Sequence, residues 1–284
     1  MLEQNLMSRA ENDEIAAILE VATVTQSQNR ANVLTNGTPK EIADFHEKAA
    51  SNGDVSSMLA LANIYINVDE NDVGREHDIE KAVYWAEMAA KTGDETAILV
   101  AMHIRISYAT LCEIVTDFQG AVDSALMANN WLEKALSKGY DVNESKKKMM
   151  TISGILGKSY YYLGRYVESA RYSFQTDDPM ASMRLSIFMN DTDVPPKVTF
   201  SDTEKSIIIN RLEKTLSNES VDIELKKSGY VILGWFYQLG MGTQQNTIVA
   251  YNCFVKAREL GNKDATKTLA KHYKKTMFGV IKFK

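Results

Sequence analysis

Only two of the 284 residues are cysteine, Cys112 and Cys253, far apart in the chain. They cannot make a disulfide framework, and so sparse a use of cysteine is what a reducing compartment permits. Both are expected as small buried apolar side chains. Proline is scarce at four residues and glycine at fifteen, which argues against a turn-rich sheet protein and for helices. Positive charge is also short: the formal net charge is -5. There is no global basic field of the kind that displaces counterions from nucleic acid, so no nucleic-acid partner is expected. No uninterrupted apolar run reaches the roughly 18 residues of a membrane helix, so no integral membrane segment is expected. The N-terminal stretch, interrupted by Glu11, Asp13, Glu14 and Glu20, lacks a basic leader followed by an apolar run. The expectation is a cytoplasmic protein, or a periplasmic or secreted one if a leader has been removed.

What remains is 45% hydrophobic and 24% charged, the balance of a globular chain with a substantial core. Self-similarity organises it. The stretch "GDVSSMLALANIYINVDENDVGREHDIEKAVYWAEMAAKTGD" runs from Gly53-Asp54 to Gly93-Asp94, forty residues on. Its first half carries Met58, Leu61, Ala62 and Tyr65 at helical spacing; its second half carries Ile79, Ala82, Val83, Ala86, Ala89 and Ala90. Asp78 stands where an N-cap belongs and Gly93 where a helix stops. A second unit, "GYVILGWFYQLGMGTQQNTIVAYNCFVKARELGN", repeats the plan with Leu233, Gly234 and Tyr237, a turn at Gly240 and Gly242, then Ala250, Tyr251, Phe254, Ala257 and Gly261. Reading the whole chain this way predicts helix pairs over 11–51, 54–92, 94–138, 144–176, 179–218 and 222–260, with a capping helix over 263–276. Pro195-Pro196 splits the fifth pair. The predicted fold is all-α: a right-handed α-α superhelical solenoid of about six helix pairs in one array, closed by a C-terminal cap.

With these residues laid out, the chain resembles the Sel-1-like repeat family, the looped relatives of the tetratricopeptide repeat. The units at 53–93 and 229–261 carry the likeness, through Leu-Gly, Tyr, a Gly-x-Gly turn, Lys-Ala, an aromatic and Ala-Ala before a closing Gly. Ala62 and Asn67 replace glycines of the family pattern in the first unit, and Asn246 replaces its acidic residue in the second. The stretch "GILGKSYYYLGRYVESA" fits the plain tetratricopeptide variant better, through Leu156-Gly157, Tyr160, Gly164, Tyr166, Ala170 and Phe174. The resemblance implies a curved scaffold that binds other proteins, and some members recognise envelope components. Cysteine-rich members have been linked to β-lactam hydrolysis; this chain lacks their regularly spaced cysteine pairs, and that activity is not carried over.

Catalytic constellations are not legible. His46, His77, His103 and His272 fall in different repeats, and no Cys-x-x-Cys or His-Glu-x-x-His spacing occurs. Glu113 and Asp117 share a helix face, an arrangement commonplace on charged helices. The "GMGT" turn has no following Lys-Ser or Lys-Thr and is not a phosphate loop. No enzyme activity, metal or cofactor is expected.

Interaction surfaces are more legible. In stacked pairs the first helices line a concave face, where Asn63, His103, Lys158, Tyr161, Tyr162 and Trp235 form a predicted polar–aromatic stripe for a protein or peptide partner. Tyr161 and Trp235 fit groove or core equally well at this level. The same stripe suits a glycan or small molecule at the bacterial envelope, the alternative reading. The C-terminal segment "KHYKKTMFGVIKFK" mixes lysines with apolar residues; it reads as a cap on the last repeat, or as a weak contact for anionic lipid or an acidic partner.

Overall fold

Short polar side chains start the helices. The computed structural model describes residues 39–66, 78–190, 198–276 and 279–282. The first helix of the pair expected over 11–51, His77 and the Pro195-Pro196 break lie outside the described residues. Twelve helices are described: α1 Pro39–Ser51, α2 Val55–Ile66, α3 Ile79–Lys91, α4 Glu95–Ile114, α5 Phe118–Ser137, α6 Val142–Tyr162, α7 Tyr166–Ser173, α8 Pro179–Asn190, α9 Asp202–Ser217, α10 Ile223–Leu239, α11 Thr247–Glu259 and α12 Lys263–His272. Asp78, Asp94, Asp117, Asp222, Asn246 and Asn262 each accept backbone N–H bonds in the first turn of the helix that follows. Each such cap contributes about 1 kcal/mol. Ser201 and Glu204 close a reciprocal capping box at α9, satisfying two otherwise orphaned donors.

The chain divides into two compact units, Met1–Ser159 and Tyr160–Lys284, with the boundary inside α6. In the first, α1 packs on α2, α2 on α3, α3 on α4 and α4 on α5, each helix against its neighbours in sequence. Alanine makes this possible. Ala82, Ala86, Ala89 and Ala90 of α3 and Ala121, Ala125 and Ala128 of α5 are buried, and side chains this small let helix axes approach closely. Helix α4 lies between α3 and α5 and buries residues all round, from Ala97 and Ile98 to Ala109 and Cys112. By length and composition it is apolar enough to cross a membrane, but more than half of its apolar window is covered by the rest of the protein, as in the core helix of a repeat.

In the second unit α7 packs on α8, α8 on α9 and α10, α9 on α10, α10 on α11, and α11 on α12. Phe236 and Phe254 are its fully buried centre. Gly234 is what admits Phe254: a Cβ at 234 would lie 2.8 Å from the ring's Cε1 and 2.9 Å from its Cζ, nearer than carbon atoms pack. Gly240 ends α10 with φ 72° and ψ 31°, the left-handed geometry that glycine adopts without cost.

The terminal cap is shorter than expected. Helix α12 ends at His272, and Tyr273–Thr276 (β1) pairs antiparallel with Gly279–Lys282 (β2). Thr276, Val280 and Ile281 are β-branched and Tyr273 aromatic, residue types that fit a pleated strand better than a helix. Backbone contacts place β2 against α11 and β1 beside α12. The Tyr273 ring sits among Tyr251 and Phe254, and its hydroxyl donates to the Gln238 side-chain oxygen.

Two outcomes are expected. Gly234→Ala should cost about 1–3 kcal/mol through overpacking against Phe254, read as a lower urea midpoint at unchanged slope. The second concerns alkaline pH. Burial, with the Glu213 carboxylate 2.6 Å away, raises Tyr237 from 10.0 to about 12; burial raises Tyr273 to about 12 and Cys253 from 9.0 to about 11. These folded values lie above those of the unfolded chain, so the stabilisation is full below the unfolded values and is lost as pH rises through the folded ones. The thermal midpoint should therefore fall between about pH 9 and 12, and Tyr237→Phe should make that fall shallower.

Candidate functional site

The second unit carries a cleft of about 460 Å³, a volume within the roughly 300–1,000 Å³ of ligand sites. Its floor is Phe188 and Met189 at the end of α8, one wall is Val198, Thr199 and Phe200 on the approach to α9, and the facing wall is Gly240, Met241 and Gly242 between α10 and α11. Asp202 and Lys205 of α9 stand at the rim, joined to each other by an ion pair of 3.0 Å.

Local chemistry holds these walls. The capping box at Ser201 fixes where the approach to α9 ends; Ser201 N–H donates to Glu204 Oε2 at 2.7 Å. Across the cleft, Ser206 Oγ donates to the Gly242 carbonyl at 3.1 Å, tying the glycine turn to α9. The base of the unit is clamped by arginine. Arg211 donates to the carbonyls of Ser173, at 3.2 Å, and Thr176, and Arg184 Nε donates to Ser173 Oγ at 3.3 Å. The Arg211 bonds give partners to the last carbonyl of α7, at Ser173, and to that of Thr176 just beyond it, groups the helix itself leaves without partners.

No backbone hydrogen bond joins Val198, Thr199 or Phe200 to the other described residues, although Val198 and Phe200 pack their side chains on the core. Backbone N–H and C=O groups seek partners wherever water is displaced. An apolar floor beside such a segment offers both parts of extended-peptide recognition: backbone pairing and a side-chain pocket.

The tyrosine run reaches this cleft through Phe188. Tyr161 and Tyr166 place their rings 5.8 and 5.5 Å from that of Phe188, and Tyr161 is half-buried against the core. Tyr160 is buried and stacks on Tyr172, with the Arg165 guanidinium over its ring at 4.5 Å. Tyr162, 59% exposed, meets Tyr161 edge-on at 5.6 Å. Trp235 belongs to another cluster, half-buried against Phe254 and His272 at 5.3 and 6.3 Å.

The other members of the predicted stripe lie in the first unit. Asn63 is half-buried on α2. His103 is 5% exposed and belongs to the core, because α4 is covered on both sides. Lys158 bridges to Glu113 Oε2 at 3.1 Å, and Ser159 Oγ donates to Glu113 Oε1 at 3.2 Å, so this lysine ties α6 to α4. Asp117, predicted on Glu113's face, instead caps α5 by accepting the Gly120 N–H at 3.0 Å. Among the described residues no group of three or more His, Cys, Asp or Glu is arranged to hold a metal. Sequence reasoning missed Phe188, Val198, Phe200 and Met241; the readable signal was an apolar Val-Thr-Phe placed directly before a Ser-x-x-Glu capping box.

Comparison with known proteins follows from this geometry. The Sel1 repeat model matches residues 55–94, 122–140 and 228–262. Comparison with curated proteins finds no match. Among solved structures, c5321, a protective antigen of uropathogenic Escherichia coli strains displaying an SLR fold, is 16% identical over 78% of this chain and 50% of its own, with a TM-score of 0.29. The chain thus spans half the length of that antigen. A Sel1 repeat protein from Oxalobacter formigenes is 16% identical over 84% of this chain and 88% of its own, with a TM-score of 0.34. Another from Klebsiella pneumoniae subsp. pneumoniae is 17% identical over 80% and 97%, with a TM-score of 0.22. The matched segments cover α2 with α3, the latter part of α5, and α10 with α11, so the helix pairs read from the sequence include Sel1 repeats at these three segments.

Proposed function

We propose that this chain is a non-enzymatic scaffold that binds a protein partner, and that the cleft of the second unit receives an extended segment of that partner. One observation carries the reading: an apolar floor of Phe188 and Met189 lies beside Val198, Thr199 and Phe200, whose backbone groups are unpaired within the described structure. A bound segment supplies backbone partners along one edge and a large apolar side chain to the floor. Affinity in such a site concentrates in that anchor. The aromatic side chains behind it, Tyr161 and Tyr166, hold Phe188 in place, so the site is preformed and loses little freedom on binding.

Selection of displayed random peptides on the intact protein, followed by affinity measurement, tests this. Thr199 is exposed, so Thr199→Arg fills the cleft mouth without disturbing the core. Selected peptides should lose at least about tenfold in affinity for this variant at an unchanged thermal midpoint. Enrichment of no peptide, or equal binding to the variant, removes the cleft as the site.

A further inference from the structure

The first unit has a different surface, independent of the second unit's cleft. Trp131 of α5 is 5% exposed, and its indole N–H donates to Glu87 Oε1 of α3 at 3.3 Å. The same oxygen accepts Arg105 Nε of α4 at 2.7 Å. Three helices therefore meet on one half-buried carboxylate, and the indole is held in a single orientation. Over its ring lies the Lys134 ammonium, 4.4 Å from the centroid.

Around this tryptophan opens a shallow cleft of about 610 Å³, bordered by Lys91 at the end of α3 and by Met127, Asn130 and Lys134 of α5. Lys138, which caps α5, stands beside Gly93 just beyond α3; its Nζ lies 3.9 Å from where a Cβ of residue 93 would be. Lys91, Lys134 and Lys138 are exposed, and none forms a salt bridge among the described residues. Three carboxylates stand on or beside this face: Glu133, which accepts Asn129 Nδ2 at 2.9 Å, Glu95, which borders the smaller hollow beside Lys138, and Asp94, next to Gly93, which accepts the Ala97 N–H at 2.8 Å. One cation at each helix end suits the macrodipole. Three cations over two ends exceed that need, in a chain whose net charge is -5.

We propose that this lysine-rimmed cleft is a second docking surface, and that it takes an acidic segment of a protein partner. Charge complementarity names the occupant: its carboxylates meet Lys91, Lys134 and Lys138, while a methylene or apolar side chain rests on Met127 and the held edge of Trp131. The surface lies between the second helices of successive pairs, α3 and α5, so it does not use the predicted first-helix stripe. An acidic partner is steered to it by long-range attraction, which makes association sensitive to salt.

The test uses the full chain and a fluorescein-labelled peptide, Glu-Glu-Leu-Glu-Glu-Leu-Glu-Glu, followed by anisotropy at about 50 and 300 mM salt. Wild type should bind and weaken with salt, and a matched Lys–Leu peptide should not bind. Lys91→Glu/Lys134→Glu/Lys138→Glu should weaken binding at least tenfold, roughly the sum expected of three exposed charges. The triple Lys→Gln variant, which adds no repulsion, should also weaken binding and covers the case in which charge reversal unfolds the unit. No binding by wild type, or unchanged binding by the folded Gln variant, overturns the proposal. Equal, lysine-dependent binding of a short single-stranded RNA or of phosphatidylserine vesicles also overturns it, because the cluster then answers to any polyanion.

Discussion

Phe254 is wholly buried because residue 234, directly beneath its ring, has no side chain. The same logic of small against large runs through both units. Alanines on α3 and α5 bring helices close in the first, and Gly229 gives the Leu216 side chain its place in the second. Where helices approach this closely, dispersion contacts are dense and voids few. That density gives the pairs a fixed shape, and a preformed surface depends on fixed shape.

Half-buried charges work within this frame. Glu87 and Glu113 each join elements distant in sequence, one through Arg105 and Trp131, the other through Lys158 and Ser159. A carboxylate in such surroundings is favourable only when its lone pairs are occupied. At least two donors converge on each, so both act as oriented fasteners. Arginine plays the matching part in the second unit, where Arg211 occupies the carbonyls of Ser173, the last residue of α7, and of Thr176 just beyond it.

The helix pairs were legible because their cues are local. Asp78 and Gly93, or Asn246 and Gly261, mark starts and stops within a few residues, and the alanine stripe repeats at helical period. The cleft was less legible because its parts come from α8, the approach to α9 and the α10–α11 turn, which no short window joins. Counting two residues on from a core position placed His103 on an open face; that rule assumes one solvated side, and α4 has neighbours on both. Lys158 was readable as a long cation, but its partner Glu113 lies 45 positions away. The final strands escaped notice because the expected capping helix ran on to 276 and the tail beyond it read only as a cover for the last repeat, whereas the β-branched residues of this stretch favour strands. Trp235 and Tyr161 stood open between core and surface, and each is half-buried against its own cluster.

Within each unit, helices rest chiefly on their neighbours in sequence. Constraint on any one pair therefore comes from a short list of adjacent residues, and a change accepted at one pair places little demand on a distant one. The family model matches at 55–94, 122–140 and 228–262, while α7 to α9, between the last two segments, keep the helical plan outside the matched residues. The candidate peptide cleft draws its floor and one wall from the stretch the family model leaves unmatched, and its facing wall from a glycine turn inside a matched repeat.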